Sequence, residues 1–149
     1  MTLFEKIIQL LKESGVWYEV LEHEPVYTSE QAAAVRPDIS LRQGAKAMVL
    51  TINNGQMTNG KSYVMVVLPG DMKMDYRKVT KFLGVKDVTL ASPAEVEQVV
   101  GVKIGAVSPF GNLSGLPVLV DKSLLENSVI AFNAGDHSKT VALGGATFA

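Results

Sequence analysis

Short apolar runs, each closed by turn residues, constrain the fold of this 149-residue chain more than any other feature. The run over residues 46–52 ends at Asn53-Asn54-Gly55, and the run over residues 62–68 ends at Pro69-Gly70-Asp71. Runs of this length with such boundaries are typical of strands. Further runs cover residues 16–21, 117–120, 128–132 and 140–143. About seven short strands, with helices between them in irregular order, predict a mixed α+β domain and not a doubly wound parallel sheet.

Capping patterns mark where the helices begin and end. In a capping box, a Ser or Thr hydroxyl and a Glu or Gln three residues later satisfy the free N–H groups at a helix start. Such boxes begin at Thr2, Thr28 and Ser92, and Asp75 offers a simple N-cap. The patterns predict helices over residues 3–14, 29–35, 76–83 and 93–100.

The inventory of reactive side chains is small. The chain has no cysteine and two histidines, His23 and His137. This excludes a disulfide framework, a thiolate nucleophile and a Cys-based metal site. The two histidines are too far apart in sequence to form a local metal-binding pair, so we expect no metal and no cofactor. We assign His23 to the surface, whereas His137 either donates to a substrate or stays in water.

The charge balance restricts the choice of partners. A net charge of -1 argues against a protein that coats duplex nucleic acid, although it permits one that grips only a nucleic-acid end. No apolar run approaches the roughly 20 residues that cross a bilayer, and the N-terminus lacks a signal-peptide layout. We therefore expect one domain over residues 1–149, located in the cytoplasm.

A glycine-bearing segment covers residues 101–111. It lacks the Gly-Lys-Ser/Thr of a phosphate-binding loop, and Ser108 lacks the Gly-x-Ser-x-Gly elbow of a serine hydrolase. Small residues let main-chain N–H groups approach a ligand carbonyl or oxyanion closely. A plain structural turn explains the same glycines, so the residues alone leave both interpretations open.

Two sets of cations are candidates for phosphate contacts. Lys46 heads an apolar strand, where its ammonium either meets a phosphate in a cleft or simply extends along apolar surface into water. Lys73, Arg77 and Lys81 recur every fourth residue and would share one face of a helix that reached back to Lys73. This basic stripe either steers a phosphate backbone or is a solvated helix face.

Together, these segments resemble the YbaK / prolyl-tRNA synthetase editing-domain family of aminoacyl-tRNA deacylases. The resemblance covers almost the whole chain and depends on the order and spacing of the segments. The matching segments are residues 28–34, Gly44-Ala45-Lys46-Ala47, Val67-Leu68-Pro69-Gly70-Asp71, Gly105-Ala106-Val107-Ser108-Pro109-Phe110-Gly111, Val118-Leu119-Val120-Asp121 and residues 135–137.

The resemblance implies a fold and an activity. The fold would be a mixed, largely antiparallel sheet, partly closed like a barrel and flanked by helices. The activity would be hydrolysis of the ester that joins a wrong amino acid to tRNA, most often alanine or cysteine on tRNA for proline. The acceptor end of aminoacyl-tRNA would be the substrate, and prolyl-tRNA synthetase is a candidate partner.

The resemblance also implies roles for individual residues. The signature lysine of the family falls on Lys46, which would hold the phosphate or ester region of the terminal adenosine. The substrate loop falls on Gly105 and Ala106, whose backbone would contact the aminoacyl carbonyl or the ribose. Some members have two glycines there, so the extra methyl of Ala106 would narrow the pocket. The remaining assignments are Thr28, Ser108, Pro109, Phe110, Gly135 and His137 for the substrate, and Lys73, Arg77 and Lys81 for tRNA.

Three functional hypotheses follow. The first is an editing deacylase of the kind that the resemblance implies. The family is thought to use substrate assistance, in which a hydroxyl of the terminal ribose helps to activate water, so that the protein supplies positioning and electrostatic stabilisation. A non-catalytic module that recognises an acylated or nucleotide ligand is the alternative, because a shared fold does not fix activity. A generic esterase that uses Ser108 is disfavoured by the missing nucleophile elbow.

Overall fold

The structure, a computed structural model, describes residues 2–25, 31, 34, 40–53, 62–101, 108–111, 115–135 and 138–144. Gln31 and Ala34, the two described residues of the predicted helix over residues 29–35, are helical, while the rest of that helix and the predicted site residues Thr28, Gly105, Ala106 and His137 lie outside these ranges. No helix of the described residues is long and apolar enough to cross a membrane.

Three helices of the described residues have the predicted boundaries: α1 (Leu3–Ser14), α2 (Tyr76–Leu83) and α3 (Pro93–Val100). Each begins where a side chain accepts from a free backbone N–H group. Thr2 caps α1, Asp75 caps α2 and Ser92 caps α3. Each helix ends at a glycine in the left-handed region, which a residue with a Cβ adopts only at a cost. The predicted boundaries of these three helices are therefore confirmed.

A four-stranded sheet forms the centre of the fold. Its strands are β2 (Ala45–Asn53), β3 (Ser62–Pro69), β4 (Asp87–Leu90) and β5 (Val118–Val120), in the spatial order β4-β2-β3-β5. β2 pairs antiparallel with both β3 and β4, whereas β3 pairs parallel with β5.

A three-stranded antiparallel sheet lies beside it, in the order β1-β7-β6. Its strands are β1 (Tyr18–Glu22), β6 (Val129–Asn133) and β7 (Lys139–Gly144). A parallel bridge between Gly44 and Ala131 joins the two sheets, which do not close into a full barrel. The predicted α+β class with a mixed, largely antiparallel and partly closed sheet is confirmed.

The two faces of β2 contact different cores because strand side chains alternate. Ala45, Ala47 and Val49 face the larger core, which also holds α1 and the three-stranded sheet. Met48, Leu50 and Ile52 face a smaller core under α2, which contributes Val79 and Leu83. By the same alternation, Lys46 projects toward the α2 side.

A side-chain hydrogen bond ties β3 to α3. The hydroxyl of Tyr63 donates to the Glu95 carboxylate at 2.8 Å. That hydrogen bond is the main reason why the pKa of Tyr63 is raised above its usual value. Glu95 is also the last member of the capping box at Ser92, so one side chain serves both contacts.

The surface assignment of His23 is wrong. Its ring is partly buried between two partners: Nδ1 lies 2.7 Å from the Glu24 carbonyl oxygen and Nε2 lies 2.7 Å from the Thr140 hydroxyl. Since a carbonyl can only accept, Nδ1 carries the proton. Thr140 is fully buried on β7, so His23 fastens the end of β1 to its neighbouring strand.

Candidate functional site

Lys46 stands near the junction of the two sheets. A short 3-10 helix, Leu41–Gln43, leads into β2 and begins with the Gln43 side chain accepting from the Ser40 N–H at 2.8 Å. The amide nitrogen of Gln43 also donates to the Val129 carbonyl at the start of β6. These contacts fix the backbone just before Lys46 against both sheets.

The ammonium group of Lys46 is held by the turn that follows β3. Its Nζ donates to the Met72 carbonyl at 2.6 Å, and the side chain is half-buried. The turn is itself tied down, since Gly70 N–H donates to the Gly44 carbonyl and Met72 N–H donates to the Pro69 carbonyl. An ammonium has three donors, so this contact orients the charge while other N–H groups can meet an oxyanion.

A small polar cluster adjoins the same turn. Asp121 N–H donates to the Val67 carbonyl, which extends the β3–β5 pairing by one residue. One oxygen of the Asp121 carboxylate accepts from the Ser123 N–H at 2.9 Å and from the Ser123 hydroxyl at 2.6 Å. The Ser123 hydroxyl lies 3.4 Å from the Met72 sulfur. Met72 thus contacts Lys46 through its carbonyl and Ser123 through its side chain.

Sequence reasoning missed Met72 and Ser123. Met72 contributes a backbone carbonyl, which leaves no trace in the residue type. Ser123 follows Asp121 by two residues, and an Asp that caps the next turn is a readable pattern. That pattern predicts the turn, but not its contact with Met72, 51 residues away.

The described part of the glycine-bearing segment lies in the larger core. Ser108 is 2% exposed and its hydroxyl accepts from the Phe110 N–H at 3.3 Å. Pro109 is buried too. The Phe110 ring meets the Phe132 ring edge-on, with centroids 5.3 Å apart. Phe110 therefore packs on the opposite side of β2 from the Lys46 side chain.

Gly111 closes this segment at a point where an added Cβ would crowd two neighbouring side chains. A Cβ there would lie 2.9 Å from the Met65 sulfur and 3.1 Å from a methyl of Val118. We expect Gly111→Ala to lower the free energy of unfolding by about 1–3 kcal/mol, because Met65 is fully buried and must shift.

Urea unfolding of Gly111→Ala, Met65→Leu and the double variant measures this effect. If the clash with the sulfur is the cause, the double variant loses less stability than the sum of the single variants. Strictly additive losses would contradict that cause.

Gly135 and the basic stripe also have described positions. Gly135 lies in the left-handed region after β6, and a Cβ there would lie 3.0 Å from the Leu3 side chain. The absence of a side chain therefore lets the backbone at Gly135 approach Leu3 at the start of α1. The expected helical stripe is corrected: α2 begins at Tyr76, so Lys73 precedes the helix, while Arg77 and Lys81 are exposed on it. The Asp75 side chain sets this boundary, because it accepts from the Lys78 N–H.

Comparisons with known proteins identify the family. A family model described as the aminoacyl-tRNA editing domain matches residues 23–149. The multifunctional Ser/Thr-tRNA deacylase ProXp-y of Escherichia coli K12 is 34% identical over 140 residues, which cover 93% of this chain and 81% of that protein. The prolyl-tRNA editing protein ProX of Acetoanaerobium sticklandii is 29% identical over 143 residues, which cover 93% of this chain and 84% of that protein.

A solved structure agrees with the fold. It is described as a candidate trans-editing enzyme for prolyl tRNA synthetase. The match covers 99% of this chain and 89% of that chain, with a TM-score of 0.79 and a sequence identity of 21%. The sequence matches confirm the predicted resemblance together with the enzyme class that it implied, aminoacyl-tRNA deacylase. The chain belongs to the aminoacyl-tRNA editing domain family.

Proposed function

We propose that this protein hydrolyses the ester bond of mischarged aminoacyl-tRNA in trans, with residues 1–149 acting as one editing domain. The observation that carries the proposal is the placement of Lys46, the position on which the family's signature lysine falls. The Lys46 side chain is half-buried, and its ammonium donates to the Met72 carbonyl at 2.6 Å, in a turn that hydrogen bonds to the Gly44 and Pro69 carbonyls hold in place. A charge fixed in this way can bind a phosphate or an ester oxygen without reorganising during the reaction.

The reaction requires little from the protein. Water adds to the ester carbonyl, the bond to the ribose oxygen breaks, and that oxygen takes up a proton as the amino acid leaves. A hydroxyl of the terminal ribose assists the water, so the protein contributes position and electrostatic stabilisation. In this proposal Lys46 holds the phosphate or ester region, and the backbone of Gly105 and Ala106 contacts the aminoacyl carbonyl or ribose.

The proposed substrate comes from the family resemblance, and the logic of a second sieve explains why such an enzyme is needed. A synthetic site built for a larger apolar amino acid cannot strongly reject a smaller one, because a missing methylene changes binding by only about 1–3 kcal/mol. We propose alanine and cysteine on tRNA for proline as the esters removed, with prolyl-tRNA synthetase as candidate partner and the cytoplasm as location. The relative named a Ser/Thr-tRNA deacylase adds serine and threonine as the next esters to test.

Single-turnover deacylation tests the proposal. Purified protein in excess is mixed with alanyl- or cysteinyl-tRNA for proline, or with seryl- or threonyl-tRNA, and the loss of labelled amino acid is followed against buffer alone. We expect rapid hydrolysis of at least one of the four esters, and prolyl-tRNA, the correctly charged product, should persist. Spontaneous rates for all four esters would overturn the deacylase proposal in favour of a binding module.

A further inference from the structure

The exposed side of α2 carries a concentration of positive charge. Lys73, Tyr76, Arg77, Lys78, Lys81 and Phe82 are all exposed, and we call them the α2 surface. Between residues 71 and 87 there are five cations and three carboxylates, in a chain whose net charge is -1, and one carboxylate lies among the cations. That carboxylate, Asp75, caps the helix by accepting from the Lys78 N–H. The α2 surface therefore presents a positive field on an otherwise acidic protein.

Apolar side chains are interleaved with these cations. Phe82 is 75% exposed, the largest exposed fraction among the large apolar side chains of the described residues. Tyr76 and Met72, at 37% and 39%, are exposed on the same stretch. Phe82 lies one helical turn after Lys78 and next to Lys81 in sequence, while Val79 and Leu83 face the smaller core. A ring in this setting leaves its face open to solvent and flanked by cations.

The α2 surface extends directly from Lys46. The carbonyl that holds the Lys46 ammonium belongs to Met72, four residues before the first residue of α2. After α2 the chain enters β4, whose first residue pairs with Asn53 at the far end of β2. The helix therefore runs from the Lys46 end of the sheet toward the opposite end. The six residue-to-residue steps from Tyr76 to Phe82 rise about 9 Å, the length of about three stacked nucleotides.

We infer that the α2 surface binds the unpaired 3′ end of the tRNA acceptor arm, with the Phe82 ring stacked on one of its bases. The inference rests on the proposed function, since the aminoacylated terminal nucleotide must lie at Lys46. Single-stranded RNA is recognised by a positive groove along its backbone and by aromatic rings on which bases stack. The faces of paired bases are covered by their neighbours in the helical stack. The exposed Phe82 ring can therefore stack on a base of the unpaired end but not on a base of the duplex stem.

Two RNA probes separate stacking from charge. One is an acceptor-stem hairpin with a four-nucleotide unpaired 3′ end, and the other is the same hairpin with a blunt end. We expect Phe82→Ala to weaken binding of the first probe about tenfold and to leave binding of the blunt probe unchanged. Phe82→Trp should restore binding, because it restores a ring. Trp17→Ala, which removes a ring that is 53% exposed just before β1, is the matched control and should bind as wild type does.

The cations of α2 should act on the probe that has the unpaired end. Replacing Arg77 and Lys81 with glutamine removes two phosphate contacts, so the slope of log affinity against log salt should become shallower by about 1.4 for single-stranded contacts. Phe82→Ala should leave that slope unchanged, because a stacked ring releases no counterions. Equal salt slopes for the glutamine variant and the wild type would mean that Arg77 and Lys81 contact no phosphate and lie on a solvated helix face.

The outcomes distinguish this inference from the proposed function. Wild-type binding of the unpaired end by Phe82→Ala, or no binding of either probe by the wild-type protein, overturns the inference while leaving measured deacylation intact. Phe82-dependent binding by a protein that hydrolyses none of the four esters overturns the proposed function instead. A dimer in light scattering that Phe82→Ala dissociates would assign the ring to a second copy of this chain and overturn the RNA assignment.

Discussion

Lys46→Met is expected to lower the single-turnover rate of deacylation by about 10²- to 10³-fold, the usual cost of losing one oriented electrostatic contact to the transition state. Methionine keeps an unbranched apolar stem of similar length but has no charge and no donor to the Met72 carbonyl. The half-buried stem can therefore still pack, while the contact at 2.6 Å is lost. The measurement is the rate at saturating protein on whichever ester the wild type hydrolyses fastest.

Lys46→Arg tells us whether charge alone is sufficient. A guanidinium keeps the charge but spreads it over a planar fork, which does not place donors where an ammonium places them. We expect an intermediate rate, with the unfolding midpoint close to wild type for both variants. A wild-type rate in Lys46→Met would remove Lys46 from the reaction, even if the protein remained a deacylase through other groups.

Local signals predicted the helices because their caps lie within three residues of the groups that they satisfy. Thr2, Asp75 and Ser92 each accept from the N–H group three positions later. The Asp75 cap also explains why α2 does not reach back to Lys73, as the basic stripe required. A cap fixes where a helix begins, whereas a regular spacing of charges does not. Sequence analysis missed β4 because the strand has no apolar run: its four residues, Asp87-Val88-Thr89-Leu90, alternate polar and apolar, and Val88 is the one buried side chain among them.

The site was harder to predict because its contacts join distant segments. The Lys46 ammonium meets a backbone carbonyl 26 residues away, and nothing in the residue type of Met72 records that. The glycine-bearing segment allowed both a substrate loop and a structural turn, and its last residues now have a packing role. Which side of β2 these last residues cover depends on Phe110 meeting Phe132, a contact across the fold that no local pattern encodes.

Phe132→Ala is expected to lower the free energy of unfolding by about 3–5 kcal/mol, the usual cost of removing a buried aromatic ring. Phe132 is fully buried at the centre of the larger core, on β6 opposite Val141 of β7. Its loss opens a cavity beneath Phe110, whose ring it meets edge-on. Since domains have only about 5–15 kcal/mol of stability, this is a large fraction of the total.

Urea unfolding measures the loss as a lower midpoint with an unchanged slope. Phe132→Leu fills most of the space, so it should lose less stability than Phe132→Ala. Phe110→Leu should lose about 0.5–1.5 kcal/mol of stability beyond the cost of its reduced burial. Both leucine variants remove the edge-to-face contact between the two rings. If that contact couples the rings, the double leucine variant loses less than the sum of the two single variants. Additive losses would mean that the rings fill space independently. The position of the Ser108–Gly111 segment would then depend on the Gly111 contact with Met65 and Val118, and deacylation should respond to Gly111→Ala more than to either phenylalanine change.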